Sequence, residues 1–139
     1  MIFVDLDNTL IENQFDVDLT KNLSLFLKTW QGLKTIPVNK NLIEWLKDKE
    51  FILITNRAKN TKYKVRQHLK TLNLINRCHC FIFCSGNKLQ EIKQLRQKSN
   101  IFLIDNNKVY SPNVLLSKNT CLGDLEYSYK KWRLENGYC

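Results

Sequence analysis

Glycine and proline are scarce, four and two among 139 residues, and no internal repeat or low-complexity stretch is present. That scarcity excludes a linker-like or disordered chain and fits one folded domain of ordinary size. Long apolar runs are missing as well. Phe51-Ile52-Leu53-Ile54 and Ile101-Phe102-Leu103-Ile104 are typical, and both fall far short of the ~20 residues that cross a bilayer. No membrane span is expected. The amino terminus lacks a basic start and a small-residue cleavage site, so no secretory leader is expected and a cytoplasmic location follows. Five cysteines form an odd set without secretory context, which favours reduced thiols over a disulfide framework.

Acidic residues are in deficit, 13 Asp and Glu against 22 Lys and Arg, for a formal charge of +9. A surplus of this kind concentrates anions, whether nucleotide, nucleic acid, phosphoprotein or acidic membrane, and a solvated basic surface accounts for it equally well.

What is present is an alternation of short apolar runs and helical patterns. Ile2-Phe3-Val4 reads as a buried strand ending at Asp5. Leu19, Leu23, Phe26 and Trp30 recur at helical spacing behind Asp18, with Gly32 as a stop. A second helix starts near Asn39 and buries Leu42, Ile43 and Leu46. Phe51 to Ile54 is a second strand, ending at Thr55-Asn56-Arg57, and Val65, Leu69 and Leu72 mark a basic amphipathic helix after it. A third strand near Cys80 to Cys84 leads through Ser85-Gly86-Asn87 to a helix carrying Leu89, Ile92 and Leu95. Ile101 to Ile104 is a fourth strand, ending at Asp105-Asn106-Asn107, and Val114-Leu115-Leu116 a short fifth. The pattern predicts a single α/β domain over residues 1–139, with a mostly parallel, doubly wound sheet covered by helices on both faces. Ligands of such sheets bind outside the carboxyl ends of the strands, where Asp5, Asp7, Thr55, Asn56 and Asp105 fall, with Lys88 just after another strand.

These residue types suit hydrolysis of a phosphate monoester. The reaction needs a nucleophile, charge neutralisation around phosphorus and a proton for the leaving group. Asp5 can attack and form an aspartyl-phosphate, and Asp7, two residues on, can exchange the proton. Mg²⁺ takes a few carboxylate oxygens plus water and phosphate, which Asp5, Asp105 and the backbone carbonyl of Asp7 can provide. The Thr55 hydroxyl and the Asn56 amide can bind phosphoryl oxygens, and Lys88 can balance charge.

Ile2-Phe3-Val4-Asp5-Leu6-Asp7-Asn8-Thr9-Leu10 resembles the first motif of the haloacid-dehalogenase-like (HAD) phosphohydrolase superfamily, a buried strand followed by Asp-x-Asp-x-Thr. Thr55, Lys88 and Asp105 occur in the order of its remaining motifs, so the resemblance spans residues 1 to about 107. It implies Asp5 as nucleophile, Asp7 as general acid and base, Lys88 as the charge-balancing lysine, and a Mg²⁺ site at Asp5, Asp7, Asp105 and Asn106. Thr9, Thr55, Asn56 and Arg57 make up the expected substrate-binding set. The second aspartate favours phosphatase over dehalogenase. One departure stands out, because many members carry two acids in the fourth motif whereas Asn106 follows Asp105, leaving an oxygen without charge. Only about forty residues separate Leu10 from Glu50, too few for a sizeable cap domain. An open site of this kind, with the charge of +9, points to a phosphate on a nucleotide or nucleic-acid end, with a weak similarity to polynucleotide phosphatase domains. The resemblance also leaves room for an oligomer in which a neighbouring subunit acts as lid.

Several features have two readings. Lys93 competes with Lys88 for the catalytic role. Arg57 either clamps phosphate or points into water, and Asn56 is also explained as a turn residue. Cys78, His79, Cys80 and Cys84 resemble a metal cluster, but strand alternation places the three thiols on one face and His79 opposite, which fits buried thiols better than zinc. His68 reads as a surface histidine within a helix. The tail from Tyr127 to Cys139, with Tyr127, Tyr129, Trp132 and Tyr138 among Lys130, Lys131 and Arg133, is either a stacking surface for bases or a docked terminal helix. A catalytically weak or inactive HAD-like chain that binds nucleic acid or protein is the alternative to an enzyme.

Overall fold

The apolar runs form strands of one sheet in the computed structural model, which describes residues 1–13, 34–84, 87–98 and 100–137, with backbone alone for 96–98. The helix expected over Leu19 to Trp30 lies outside the described residues. The strands are β1 (Ile2–Asp5), β2 (Phe51–Thr55), β3 (Cys78–Phe83), β4 (Phe102–Asp105) and β5 (Val114–Leu115). All pair in parallel, in the order β3-β2-β1-β4-β5. The helices are α1 (Lys40–Leu46), α2 (Lys62–Thr71), α3 (Lys88–Lys98) and α4 (Leu122–Glu135). The architecture is therefore α/β with an all-parallel sheet and a Rossmann-like strand order. Among the described residues, no helix is long and apolar enough to cross a membrane.

Burial explains why these runs become strands. Every residue of β1 and of β4 is buried, as continuous apolar segments in a parallel sheet must be. Alternation then divides the core. Ile2, Val4, Leu53, Phe102 and Ile104 join Leu42 and Leu46 of α1, Val65 and Leu69 of α2, and Leu125 and Trp132 of α4 in one cluster. Phe3, Ile54 and Leu103 join Ile92 of α3 in another.

The β1 strand sits in the middle, and the chain adds β2 and β3 on one side before crossing to β4 and β5 on the other. This reversal places the carboxyl ends of β1 and β4 side by side. A ligand crevice opens at such a switch point, and Asp5 and Asp105 terminate those two strands.

Two expectations are corrected in β3. The strand begins at Cys78 and ends at Phe83, earlier at both limits than the expected Cys80 to Cys84. Its register against β2 slips, since Phe51 pairs with Cys78 but Leu53 pairs with Phe81. The extra residue is a bulge that reverses the inward-outward phase. Cys78 consequently packs against the first core cluster and Cys84 belongs to the second, so the thiols do not share a face. Cys80 is exposed rather than buried. Burial pushes the Cys78 thiol up to about 11 and that of Cys84 up to about 12, leaving both as inert hydrophobes.

The carboxyl-terminal aromatic residues belong to a docked helix. Tyr129 stacks on Trp132 at 5.9 Å between ring centroids and meets Phe102 edge-on at 5.2 Å. Trp45 of α1 joins them, and its Nε1 donates to Glu126 of α4. Tyr127 remains exposed, while Tyr138 lies outside the described residues.

Candidate active site

The loop after β1 closes in one tight turn. The amides of Thr9 and Leu10 donate to the Leu6 carbonyl, and Asn8 adopts a left-handed conformation with φ of 58°. Asparagine tolerates that region better than most residues, and its Oδ1 accepts from the Asn13 amide. The turn buries Thr9 beneath the sheet end while Asp5 and Asp7 line the cleft.

Lys88, the first residue of α3, reaches back across the sheet end. Its Nζ lies 2.8 Å from Asp5 Oδ1 and 2.8 Å from Asp105 Oδ2, with the Tyr110 ring 4.8 Å away. All three charged groups are buried. The other oxygens are also engaged: Asp5 Oδ2 accepts from the Thr9 hydroxyl at 2.9 Å, and Asp105 Oδ1 accepts from the Asn107 amide at 2.9 Å. Lys93, the competing lysine, is exposed on α3.

Two carboxylates sharing one ammonium leave a buried negative excess. Burial pushes the Asp5 carboxyl up to about 6, with the Asp105 charge adding to that rise and Lys88 opposing it. Burial alone lowers the pKa of Lys88, but the two carboxylates outweigh it and hold the ammonium up. The donor set fits a hard divalent cation, since Mg²⁺ is usually bound through one or two carboxylates with water filling the other positions. Among the described residues, no three His, Cys, Asp or Glu side chains gather into a closed metal centre.

The remaining expected residues separate into two groups. Thr55 is buried, and its hydroxyl accepts from the Arg57 amide at 3.2 Å. Asn56 is exposed and lines the cleft of about 500 Å³ over Asp5, Asp7, Lys88 and Asp105. Thr9, expected among the substrate-binding residues, is instead fully buried and holds Asp5 while accepting from the Asn106 amide at 3.1 Å. Arg57 neither points into water nor stands open for phosphate. Its guanidinium grips the Asp7 carboxylate at both oxygens, 2.9 Å from Nε to Oδ2 and 2.6 Å from Nη2 to Oδ1. The Asp7 carboxylate is thus not directed at a shared cation with Asp5 and Asp105. The Asn106 amide satisfies its neighbours when its NH₂ faces Asp5 Oδ2 at 3.3 Å, Asp105 Oδ1 at 3.2 Å and Thr9 Oγ1 at 3.3 Å. In that orientation it offers donors rather than a cation-binding oxygen.

Compared with protein-family models, curated proteins and solved structures, the chain matches none.

The reading of His68 as a surface residue is overturned. Its ring is buried on α2, with Nδ1 2.6 Å from the Thr35 hydroxyl and Nε2 without a hydrogen-bond partner among the described residues. Burial, then the charges of Arg57 and Lys64, push it down to about 4, so it is neutral. Val65, His68, Leu69 and Leu72 share one helical stripe, and that spacing was a readable signal of burial. Tyr110 over Lys88 had no such signal, because it sits in a 3₁₀ turn (Lys108–Tyr110) with no periodicity.

Proposed function

We propose that the chain is a Mg²⁺-dependent phosphohydrolase of the HAD-like kind, acting on a phosphate monoester through an aspartyl-phosphate at Asp5. The observation that carries this reading is Lys88 bridging Asp5 and Asp105 at a topological switch point. Support also comes from the division of the core into two clusters, which suits a three-layer, doubly wound HAD-like domain.

Thr9 and Lys88 hold the two Asp5 oxygens, fixing the carboxylate plane for in-line attack. An Asp5 oxygen bonds to phosphorus as the ester P–O bond breaks, and Asp7, released from Arg57 and having taken a proton from water, gives that proton to the leaving oxygen. Water then attacks phosphorus, the bond to Asp5 breaks, and Asp7 recovers a proton from that water. Alcohol and inorganic phosphate are the products, and both carboxyl groups return to their starting state once Asp7 gives that proton back to water. Asp5 and Asp105 would hold Mg²⁺, which supplies positive charge against the phosphoryl oxygens and the nucleophile. Asp7 must leave Arg57 to act, and a phosphate is a natural exchange partner for a guanidinium fork. Asn56, just past the end of β2, lines the cleft where the phosphate would sit, and Thr55 behind it accepts from the Arg57 amide. Among the described residues nothing covers the cleft at the exposed Asn56, which suits a phosphate on a larger body, such as a nucleotide or nucleic-acid end.

The test is Mg²⁺-dependent release of phosphate from an aryl phosphate, abolished in Asp5→Asn. Absence of release from folded wild-type protein with Mg²⁺ present overturns the reading. The grip of Arg57 on Asp7 favours a second reading, a HAD-like binding module without turnover, which predicts no phosphate release but salt-sensitive binding of nucleic acid or protein.

A further inference from the structure

Beside the catalytic cleft, α2 and the strand β3 enclose a second cleft of about 680 Å³. Lys59, Lys62, Arg66 and Lys70 line it, and no described Asp or Glu does. All four cations are exposed, and none forms an ion pair with a described carboxylate. Among the described residues, the only ion pair at its rim is that of His79 with Glu50, and Glu50 stands outside the cleft. Lys62, Arg66 and Lys70 are four residues apart, so they form one row along α2 with steps of about 6 Å. That spacing is comparable to the separation of consecutive phosphates along an extended strand. Facing the row, Phe81 and Phe83 line the same cleft, half-buried, their rings edge-to-face at 6.2 Å.

The cleft has a direction. Phe83 pairs with Thr55 at the carboxyl ends of the strands, where Asp5 lies, while Cys78 pairs with Phe51 at the opposite ends. Helix α2 starts just after Thr55-Asn56-Arg57 and runs back toward those opposite ends. A polymer entering beside Thr55 therefore follows the cation row away from the catalytic cleft. Among the described strands β3 is at the edge of the sheet, so nothing described closes this path.

We infer that this cleft is a track for single-stranded nucleic acid, with phosphates on the Lys62, Arg66 and Lys70 row and bases against Phe81 and Phe83. A regular row of cations facing aromatic rings is the combination that binds a single strand without sequence preference. A duplex keeps its bases stacked and gains nothing from the phenyl rings. An acidic peptide gains from the cations but has no regular planar groups to set against the rings. The link to Asp5, in which the strand's terminal phosphate is the substrate, rests on the phosphohydrolase reading above; the track itself does not.

The test measures fluorescence anisotropy of a labelled oligothymidylate lacking a terminal phosphate, with EDTA present, so that catalysis plays no part. Wild-type protein is expected to bind with strong salt dependence. Simultaneous Lys62→Glu, Arg66→Glu and Lys70→Glu is expected to weaken binding at least about tenfold and to lower the salt slope by about 2, at ~0.7 for each phosphate no longer neutralised. The corresponding Gln triple is expected to move both in the same direction by less, and Phe83→Leu to weaken binding at least about fivefold. Circular dichroism checks that each variant is folded, and all three cations are exposed, so folding is expected to survive. Absence of wild-type binding, unchanged binding in folded triples, or equal displacement by polyglutamate and by unlabelled oligothymidylate overturns the track. Aryl phosphate hydrolysis by the wild type is scored separately. Hydrolysis without oligothymidylate binding overturns the track alone, and binding without hydrolysis overturns the catalytic reading alone.

Discussion

The Asp7 carboxylate and the Arg57 guanidinium meet fork to fork, with both Asp7 oxygens accepting from one arginine. The residue assigned to proton transfer therefore starts as half of an ion pair, and its oxygens are committed until Arg57 turns away. In the proposed phosphohydrolase reaction this pairing would couple substrate binding to catalysis. In that reaction a phosphate that attracts Arg57 would free Asp7 to take up the proton it then passes to the leaving oxygen.

The first prediction follows from that division of roles. Asp7→Asn removes proton transfer but leaves Asp5, Lys88 and Asp105 in place. With a nitrophenyl phosphate, whose leaving group needs no proton, the variant is expected to release about one equivalent of nitrophenol in a burst. The phospho-Asp5 then persists, because nothing deprotonates the attacking water, and kcat falls by about 10²–10⁴. Rapid-quench kinetics with acid trapping of the phosphoprotein measures both. A variant with steady wild-type turnover and no trapped phosphoprotein removes Asp7 from the reaction.

Thr9 tests the scaffold of the nucleophile. Its hydroxyl donates to Asp5 Oδ2 and accepts from the Asn106 amide inside the protein. Thr9→Val keeps the shape and strips both bonds, leaving the part-buried Asn106 backbone N–H without its acceptor and the buried Asp5 Oδ2 with only the longer approach of the Asn106 NH₂. A loss of about 1–3 kcal/mol in urea unfolding is expected. Thr9→Ser, which retains the hydroxyl and loses only a methyl group, is expected to cost less than Val.

Two buried groups impose opposite pH dependences. The folded Asp5 carboxyl is raised to about 6, so the native state holds its proton more tightly than the unfolded chain. Its contribution is fully present below the unfolded value near 3.8 and is lost as pH rises through about 6. His68 is depressed to about 4, so its contribution is present above the unfolded value of 6.5 and is lost as pH falls through about 4. Each effect amounts to at most about 3 kcal/mol over the window. Together they nearly cancel, and Asp5→Asn exposes the histidine alone. In EDTA, the Tm of Asp5→Asn relative to wild type is expected to fall steadily as pH drops from 6.5 to 4. His68→Gln is expected to show the reverse trend. Parallel Tm profiles for the three proteins refute the assignment.

The extent to which the site could be read from sequence depended on whether its signals were local. Ile2-Phe3-Val4 stops at Asp5 and Phe102-Leu103-Ile104 stops at Asp105, and apolar runs in a parallel sheet are buried on both faces. Strand ends were thus legible, and so was the approach of Lys88 from the start of α3. The bulge in β3 was not, because register is set by pairing with β2 rather than by any residue within Cys78 to Phe83. The Asp7 and Arg57 pair was equally hidden, since it joins two loops fifty residues apart. His68 was a different failure. Its place in the stripe with Val65 and Leu72 was visible, but a polar residue was assumed to face water.

Asn106 sits where a second acid is common in the resembling family, and its position makes a directional prediction. An Asp here puts a third carboxylate about as close to Asp5 and Asp105 as the present amide, which lies 3.3 Å and 3.2 Å from them. The amide NH₂ now donates toward both, so Asn106→Asp, at an exposed position on the edge of the buried cluster, replaces attraction with repulsion against two carboxylates that have Lys88 as their balancing cation. Without a divalent cation the variant is expected to unfold at lower temperature than wild type at pH 7.5, since like charges a few ångströms apart repel even at an exposed position where water screens part of the repulsion. A cation bound by Asp5 and Asp105 reverses the sign, because the added carboxylate then binds or neutralises it. Mg²⁺ is therefore expected to raise the Tm of Asn106→Asp by more than that of the wild type, with half-saturation at lower Mg²⁺. A Mg²⁺ titration followed by thermal unfolding measures both quantities. An equal Mg²⁺ shift in the two proteins indicates that the cation binds elsewhere than between Asp5 and Asp105.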